Sequence, residues 1–237
     1  MDFATVPQTR KRVIEALDRV YDPELDEAIT TLGFVRSCTV DDDLRVTVVL
    51  RLPTPQCAPN FAFLMASDAR RAIERGAGLS MVEVRIEDHC TGAEINAAVN
   101  RGLGFVAAFP GESTDDELTA LRELFQRKAL VARQAAVCDA MVGAGVPLEE
   151  VVAKTVAELP RCADAARCLE LRAALGIATA PEAPGLVTPD GRGLQATGIE
   201  RWLRMARLIR TSLETNGGIC RSLLATRDTN PEVEVAA

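Results

Sequence analysis

Apolar residues recur at helical spacing near the start of the chain. Val13, Ile14, Leu17 and Val20 share one face of a helix predicted over Thr9 to Val20. Asp22-Pro23 is expected to end it, because a residue before proline disfavours the helical region. The period then drops to two. Leu32 to Val40 and Leu44 to Leu52 read as strands of a hairpin turned at Asp41-Asp42-Asp43, with Leu44, Val46, Val48 and Leu50 alternating in the second. A proline-studded loop, Pro53 to Pro59, leads into a second amphipathic helix, Asn60 to Gly76, carrying Phe61, Leu64, Met65, Ala69, Ala72 and Ile73. Val82, Val84 and Ile86 then alternate with Glu83 and Arg85 in a half-buried strand that runs into Glu87-Asp88-His89-Cys90. The predicted order is α-β-β-α-β over roughly 80 residues, enough for a compact unit.

Beyond Gly92 the pattern is helical almost throughout. Thr114-Asp115-Asp116-Glu117 matches a capping box. It opens a long helix with Leu118, Leu121, Leu124, Phe125, Val131, Cys138, Met141 and Val142 on its apolar face, ending at Gly143. Pro147 fits the first turn of another helix, which Pro160 ends, and Gly176 suits the cap of the next. Ala178 to Gly193 is a predicted loop. Ile199 to Glu214 is the last predicted helix, with Trp202, Met205, Ala206, Ile209 and Leu213 on one face and Asn216-Gly217-Gly218 as its stop. The fold class expected is α+β: a small α+β domain at 1–92 and an all-α region at 93–237, the latter binding a client or partner.

Composition narrows the function classes. A net charge of −7 in 237 residues argues against nucleic acid or anionic membrane as the main partner. Met1 to Arg12 lacks the apolar stretch of a signal peptide, so a cytoplasmic location and reduced thiols are expected for the seven cysteines. There is no Walker loop, dinucleotide GxGxxG or GxSxG elbow, and a single histidine leaves little room for acid-base catalysis. The chain is therefore expected not to be an enzyme, with no catalytic residues of its own.

Three clusters carry candidate chemistry. Cys57 stands directly before a predicted helix, where free amides and the helix dipole favour a thiolate, although an isolated cysteine is also an ordinary packing residue. Asp22 and Glu24 flank Pro23 and could approach the Cys57 loop, or simply form a turn. Asp88, His89 and Cys90 offer oxygen, nitrogen and sulfur, but three adjacent residues need help to complete a metal site, and alternation would set His89 opposite the other two. On the last helix, Arg201, Arg204, Arg207 and Arg210, with Arg221 and Arg227 beyond, are a solvated face paired with acidic neighbours or a site for an acidic partner. Cys138 is expected in the core, Cys162 and Cys168 on different faces, and Cys220 is left open.

Val20-Tyr21-Asp22-Pro23-Glu24-Leu25, Ile29, Leu32-Gly33-Phe34-Val35, the strand Val46 to Leu50 and the Thr54 to Pro59 loop together resemble the small iron-sulfur assembly domain of PaaD-type and SufT-type proteins. Family members commonly read Gly-Cys-Pro where this chain has Gln56-Cys57-Ala58-Pro59. The resemblance implies an α+β domain, often a homodimer, that helps insert metal clusters into client enzymes. It makes Cys57 the leading metal-site residue, followed by Asp22 and Glu24, and gives Thr54 the role of shaping the loop. Asp88-His89-Cys90-Thr91-Gly92, Ile95-Asn96-Ala97, Gln126-Arg127-Lys128-Ala129 and Asn216-Gly217 with Cys220-Arg221 and Leu223-Leu224 resemble accessory proteins of soluble diiron propane and alkane monooxygenases. That implies a diiron hydroxylase client, a chaperonin partner, and iron or an iron-sulfur cluster bound transiently at Cys57, Asp22, Glu24, Asp88, His89 and Cys90. The rival readings are a metal-free adaptor, an enzyme using Cys57 with His89 as base, and a subunit of the oxygenase itself.

Overall fold

A computed structural model describes residues 5–111 and 114–229. Its elements run α1 (Val6–Leu17), β1 (Tyr21–Asp22), β2 (Glu27–Ala28), β3 (Val35–Val40), β4 (Val46–Arg51), α2 (Pro59–Gly76), β5 (Val82–Glu87), α3 (Gly92–Asn100), α4 (Phe105–Ala108), α5 (Asp115–Gly143), α6 (Leu148–Val151), a 3-10 turn (Val156–Glu158), α7 (Ala163–Ala174) and α8 (Ile199–Thr229). The α+β class is present, and the expected α-β-β-α-β order appears in α1, β3, β4, α2 and β5, with the β1-β2 ribbon added between the first helix and the hairpin. The described residues fall into two compact units, one formed by those up to Ala120 together with 216–229, the other by Leu121–Thr215.

In the first unit, α1 starts and stops earlier than its apolar spacing predicts. A capping box between Thr5 and Gln8 and a proline in the first turn begin it at Val6, and Asp18 caps it. Val20 is then free to pair its carbonyl with Ile29 N–H (2.9 Å). Asp22-Pro23 therefore turns a two-stranded β1-β2 ribbon instead of ending a helix.

The main sheet has the order β3-β4-β5, with β3 and β4 antiparallel and β4 and β5 parallel. The central strand buries Val46, Val48 and Leu50 completely, as its alternation predicts. Each such side chain contributes about 1.5–3 kcal/mol. Around them pack Leu17, Ile29, Phe34, Phe63, Ile73 and Val84. The free edge of β5 is closed by side-chain amides from α3. Asn96 exchanges hydrogen bonds with both backbone groups of Ile86 (2.8 and 3.1 Å), and Asn100 does the same with Val84 (2.9 and 2.8 Å). Two asparagines one helical turn apart thus act as a substitute strand, which satisfies and protects the edge.

The predicted capping box of α5 is present: Glu117 N–H donates to Thr114 Oγ1 (3.1 Å) and Thr114 N–H to Glu117 Oε2 (2.8 Å). Within the second unit the buried face of that helix is Leu130, Val131, Ala135, Cys138 and Met141, whereas Leu124 and Val142, expected inside, are exposed. Ile199, Leu203, Ala206 and Leu213 line the buried side of α8, and Met205 is turned out. Cys138 and Cys168 are core residues; burial first and Asp139 second push Cys138 up to about 12, against Arg207. The Ala178–Gly193 stretch is a loop, as predicted, but one with a polar frame. Fully buried Arg172 donates to the carbonyls of Pro184 (3.0 Å), Gly185 (3.2 Å) and Ala178. Buried Gln134 exchanges two hydrogen bonds with Val187 (2.9 and 2.7 Å).

Three arginines of the α8 series are paired within the chain: Arg207 and Arg210 share Asp139, and Arg204 lies 3.8 Å from Glu200. The expected stop at Asn216-Gly217-Gly218 is overturned, since the helix continues through both glycines to Thr229. Packing explains why. A Cβ on Gly217 would sit 2.8 Å from Glu27 Oε2, so glycine here permits close approach to the β2 strand. The lost propensity is outweighed by burying Leu224 in the first unit's core and pairing Arg221 with Glu27.

Substitutions at these positions have expected effects on stability. Arg172→Ala leaves three carbonyls unpaired and lowers stability by about 3 kcal/mol or more, read by urea unfolding through Trp202 fluorescence. Gly218→Ala, where a Cβ meets nothing within 4 Å, raises stability by about 0.5–1 kcal/mol, while Gly217→Ala gains no more than about half of that because it displaces the Glu27 carboxylate. Thermal melts followed by circular dichroism distinguish the two glycines; equal gains would remove the packing role of Gly217.

Candidate functional site

Parallel pairing of β4 and β5 continues to Arg51 opposite Glu87, so the two strands end side by side. Their outgoing segments are thereby brought together: Pro53–Pro59 after β4, and Asp88 to Thr91 after β5. Carboxyl ends of parallel strands are where α/β sheets present loops for ligands.

The loop is held from within and across. Cys57 N–H donates to Thr54 O (3.3 Å), and Thr54 Oγ1 lies 3.5 Å from Cys57 Sγ. The β5 side contributes two links: His89 Nε2 donates to Cys57 O (2.8 Å), and Cys90 N–H donates to Pro55 O (2.9 Å). Because a carbonyl can only accept, Nε2 carries the proton, and Nδ1 accepts Thr91 N–H (3.2 Å). Both ring nitrogens of His89 thus serve the backbone that positions Cys57. Asp88, at φ +50°, breaks the strand, so alternation no longer applies to His89 and Cys90. Its carboxylate pairs with Arg51 (2.9 Å) and Arg227 (3.6 Å). Cys90 is exposed and Cys57 half-buried.

Asp22 is buried. Its Oδ1 accepts the amides of Glu24 (2.8 Å) and Leu25 (2.9 Å), a side-chain-capped turn. Burial pushes its carboxyl up from 3.8 to about 6, opposed by those two hydrogen bonds and helped by the charges of Glu24 and Glu27. The residue that sequence reasoning left open is Cys220. Burial, then Asp22, Cys57 and Glu24, push its thiol up to about 11, against Arg221. Those groups are therefore within electrostatic reach of its sulfur.

Asp22, Cys57 and Glu24 thus act electrostatically on the Cys220 thiol, while His89 and the Cys90 amide brace the Cys57 loop and Asp88 is held by arginines. Among the described residues no three His, Cys, Asp or Glu side chains form a ready-made metal cage. Thiol and carboxylate donors of the kinds present here suit a borderline cation such as iron(II), which accepts both donor types. The signal for Cys220 was its position: 217, 220, 221, 224 and 227 fall on one helical face once the glycines are read through.

Comparison with known proteins bears on residues of this unit. A family model described as "Iron-sulfur cluster assembly protein" matches residues 10–86. An uncharacterized protein of Methanocaldococcus jannaschii is 34% identical over 88 residues, which span 37% of this chain and 90% of that protein. No solved structure gives a match. No helix among the described residues is long and apolar enough to cross a membrane.

The raised carboxyl of Asp22 has a signed consequence in the metal-free protein. The folded state holds that proton more tightly than the unfolded chain, so its stabilising effect is complete below pH about 4 and is lost as pH rises through about 6. Asp22→Asn keeps the Oδ1 acceptor without the charge. The variant is expected to match the parent near pH 4 and to exceed it by about 2–3 kcal/mol at pH 7, in urea titrations across that range. A parent that gains stability over the variant between pH 4 and 6 would reverse the assignment.

Proposed function

Because the chain belongs, through residues 10–86, to the iron-sulfur cluster assembly protein family, we propose that it is a non-catalytic maturation factor that carries iron or a small iron-sulfur cluster to a client enzyme. A role in metal-cluster assembly comes with the family. The cargo is received at Cys57, whose sulfur is half-buried beside Thr54 on a loop clamped by His89. Asp22 and Glu24 make the surroundings attractive to a cation. The observation that carries the reading is the half-buried Cys57 thiol on a loop braced by His89 at the carboxyl ends of two parallel strands. Too few ligands to complete a coordination sphere favours transfer over storage, since the remaining positions are open to the client.

The client in this reading is the hydroxylase of a soluble diiron monooxygenase, whose carboxylate-rich centre draws iron from a sulfur-poor carrier. Residues 93–237 hold that client, in company with a chaperonin, and the α+β domain pairs with a second copy of itself. The work is done in the cytoplasm. A second reading, a metal-free adaptor, draws support from the contacts of three expected ligands: Asp22 caps a turn, Asp88 is paired with arginines and His89 braces a loop.

Co-expression of the hydroxylase with the parent chain or with Cys57→Ser separates the two. Carrier function predicts that Cys57→Ser lowers iron per hydroxylase and its activity several-fold while both variants still co-purify with it. Undiminished iron loading by Cys57→Ser leaves the adaptor.

A further inference from the structure

We infer that Arg227, which lies outside the family-matched segment, is a positioning residue for the Cys57 thiol: its guanidinium joins the exits of β4 and β5 and thereby fixes the loop on which that sulfur is presented. The inference rests on the metal-carrier reading above and adds which group beyond residues 10–86 holds the site in place.

The last ladder pair of the two strands is Arg51 with Glu87, so Leu52 and Asp88 are the first residues to leave the sheet. Leu52 is buried in the core, and a carbonyl that leaves a ladder there needs another donor. Arg227 supplies it. Its Nη1 donates to Leu52 O, while its Nη2 donates to Asp88 O (3.4 Å) and lies 3.6 Å from the Asp88 carboxylate. The planar fork holds both acceptors at a fixed separation, which the compact ammonium of a lysine does not. Arg51 grips the same carboxylate from the end of β4 (2.9 Å). Asp88 is thus tied from two sides while at φ +50°, a backbone conformation uncommon outside glycine.

Each bridged residue opens one half of the site. Leu52 precedes the Pro53–Pro59 loop. Asp88 precedes His89 and Cys90, whose ring and amide donate to Cys57 O and Pro55 O. A shift of one exit against the other would therefore stretch both braces of the loop. Helix α8 delivers the guanidinium from a fixed place: Gly217 meets Glu27, Arg221 pairs with that carboxylate, and Leu224 is buried in the core of the same unit. A sulfur whose supporting groups are themselves held keeps one geometry before its cargo arrives.

The test uses the full chain, in which His89 is the sole histidine, so that its ring proton gives one assignable NMR resonance. In the parent the Nε2 proton, donated to Cys57 O, is expected to lie downfield and to exchange slowly with water. Arg227→Met removes the fork and keeps the stem. It is expected to speed that exchange at least about tenfold and to raise the alkylation rate of Cys57, read by peptide mass, several-fold. Arg227→Lys covers a failure of Arg227→Met to fold, and is expected to speed the exchange at least about threefold. Parental exchange and alkylation in either folded variant overturn the inference, since anchoring of α8 alone would leave the ring proton undisturbed. In a His89→Ala background, Arg227→Met is expected to add nothing to Cys57 alkylation, and multiplied effects overturn the route through the brace. Co-expression with the hydroxylase separates this inference from the reading beneath it. Arg227→Met is expected to lower iron per hydroxylase several-fold, as Cys57→Ser does. Loss with Cys57→Ser alone overturns the inference and leaves the carrier reading standing, whereas parental loading in both variants overturns the two together.

Discussion

Parallel pairing of β4 with β5 is the constraint from which the site derives. A parallel pair needs a crossover, here α2, and the crossover forces the chain to leave β4 at the same end where it later leaves β5. The proline-rich loop and the turn after β5 have no choice but to meet. Once they do, the single histidine can donate to the Cys57 carbonyl and the Cys90 amide to Pro55, and a loop that would otherwise be loose becomes a defined support for one sulfur.

Acidic side chains collect around the Asp22 turn of the same unit. Asp22, Glu24 and Glu27 are close in sequence, and the ribbon β1-β2 folds them onto one side. Asp22 is also buried, so its carboxyl is raised, and Cys220 feels the same field. Arg221 pairs with Glu27, and Arg227 and Arg51 pair with Asp88. Such an arrangement attracts a cation and disfavours an anionic substrate, in keeping with a protein that handles metal.

The second unit is organised by a different device. Its helices bury Ala, Val and Leu without large aromatics, and the long loop is fixed by Arg172 and Gln134, each reaching backbone groups that no helix or strand supplies. Buried polar groups bonded to the loop backbone in this way specify one loop conformation, because any other leaves those groups unsatisfied in a low dielectric.

Period and punctuation in the chain were enough to read the main-sheet strands and the two helices beside them, the hairpin at Asp41-Asp43, the α5 capping box and the core role of Cys138, since these depend on neighbours a few residues away, but not the β1-β2 ribbon. The same local rules misplaced the end of α8, because propensity counts a glycine pair as a stop and cannot weigh it against Leu224 and Arg221 finding partners on a distant strand. Leu124, Val142 and Met205 were assigned to buried faces for a related reason: spacing fixes which residues share a side, while the packed neighbours decide how wide that side is. Cys57, Asp22 and Glu24 could be named from the chain as candidates. That His89 braces the loop, that Asp88 is tied to arginines and that Cys220 packs against the same core as Cys57 are consequences of groups far apart in sequence sharing one core, and the free energy that brings them together is summed over that whole core, not written in any short stretch of residues.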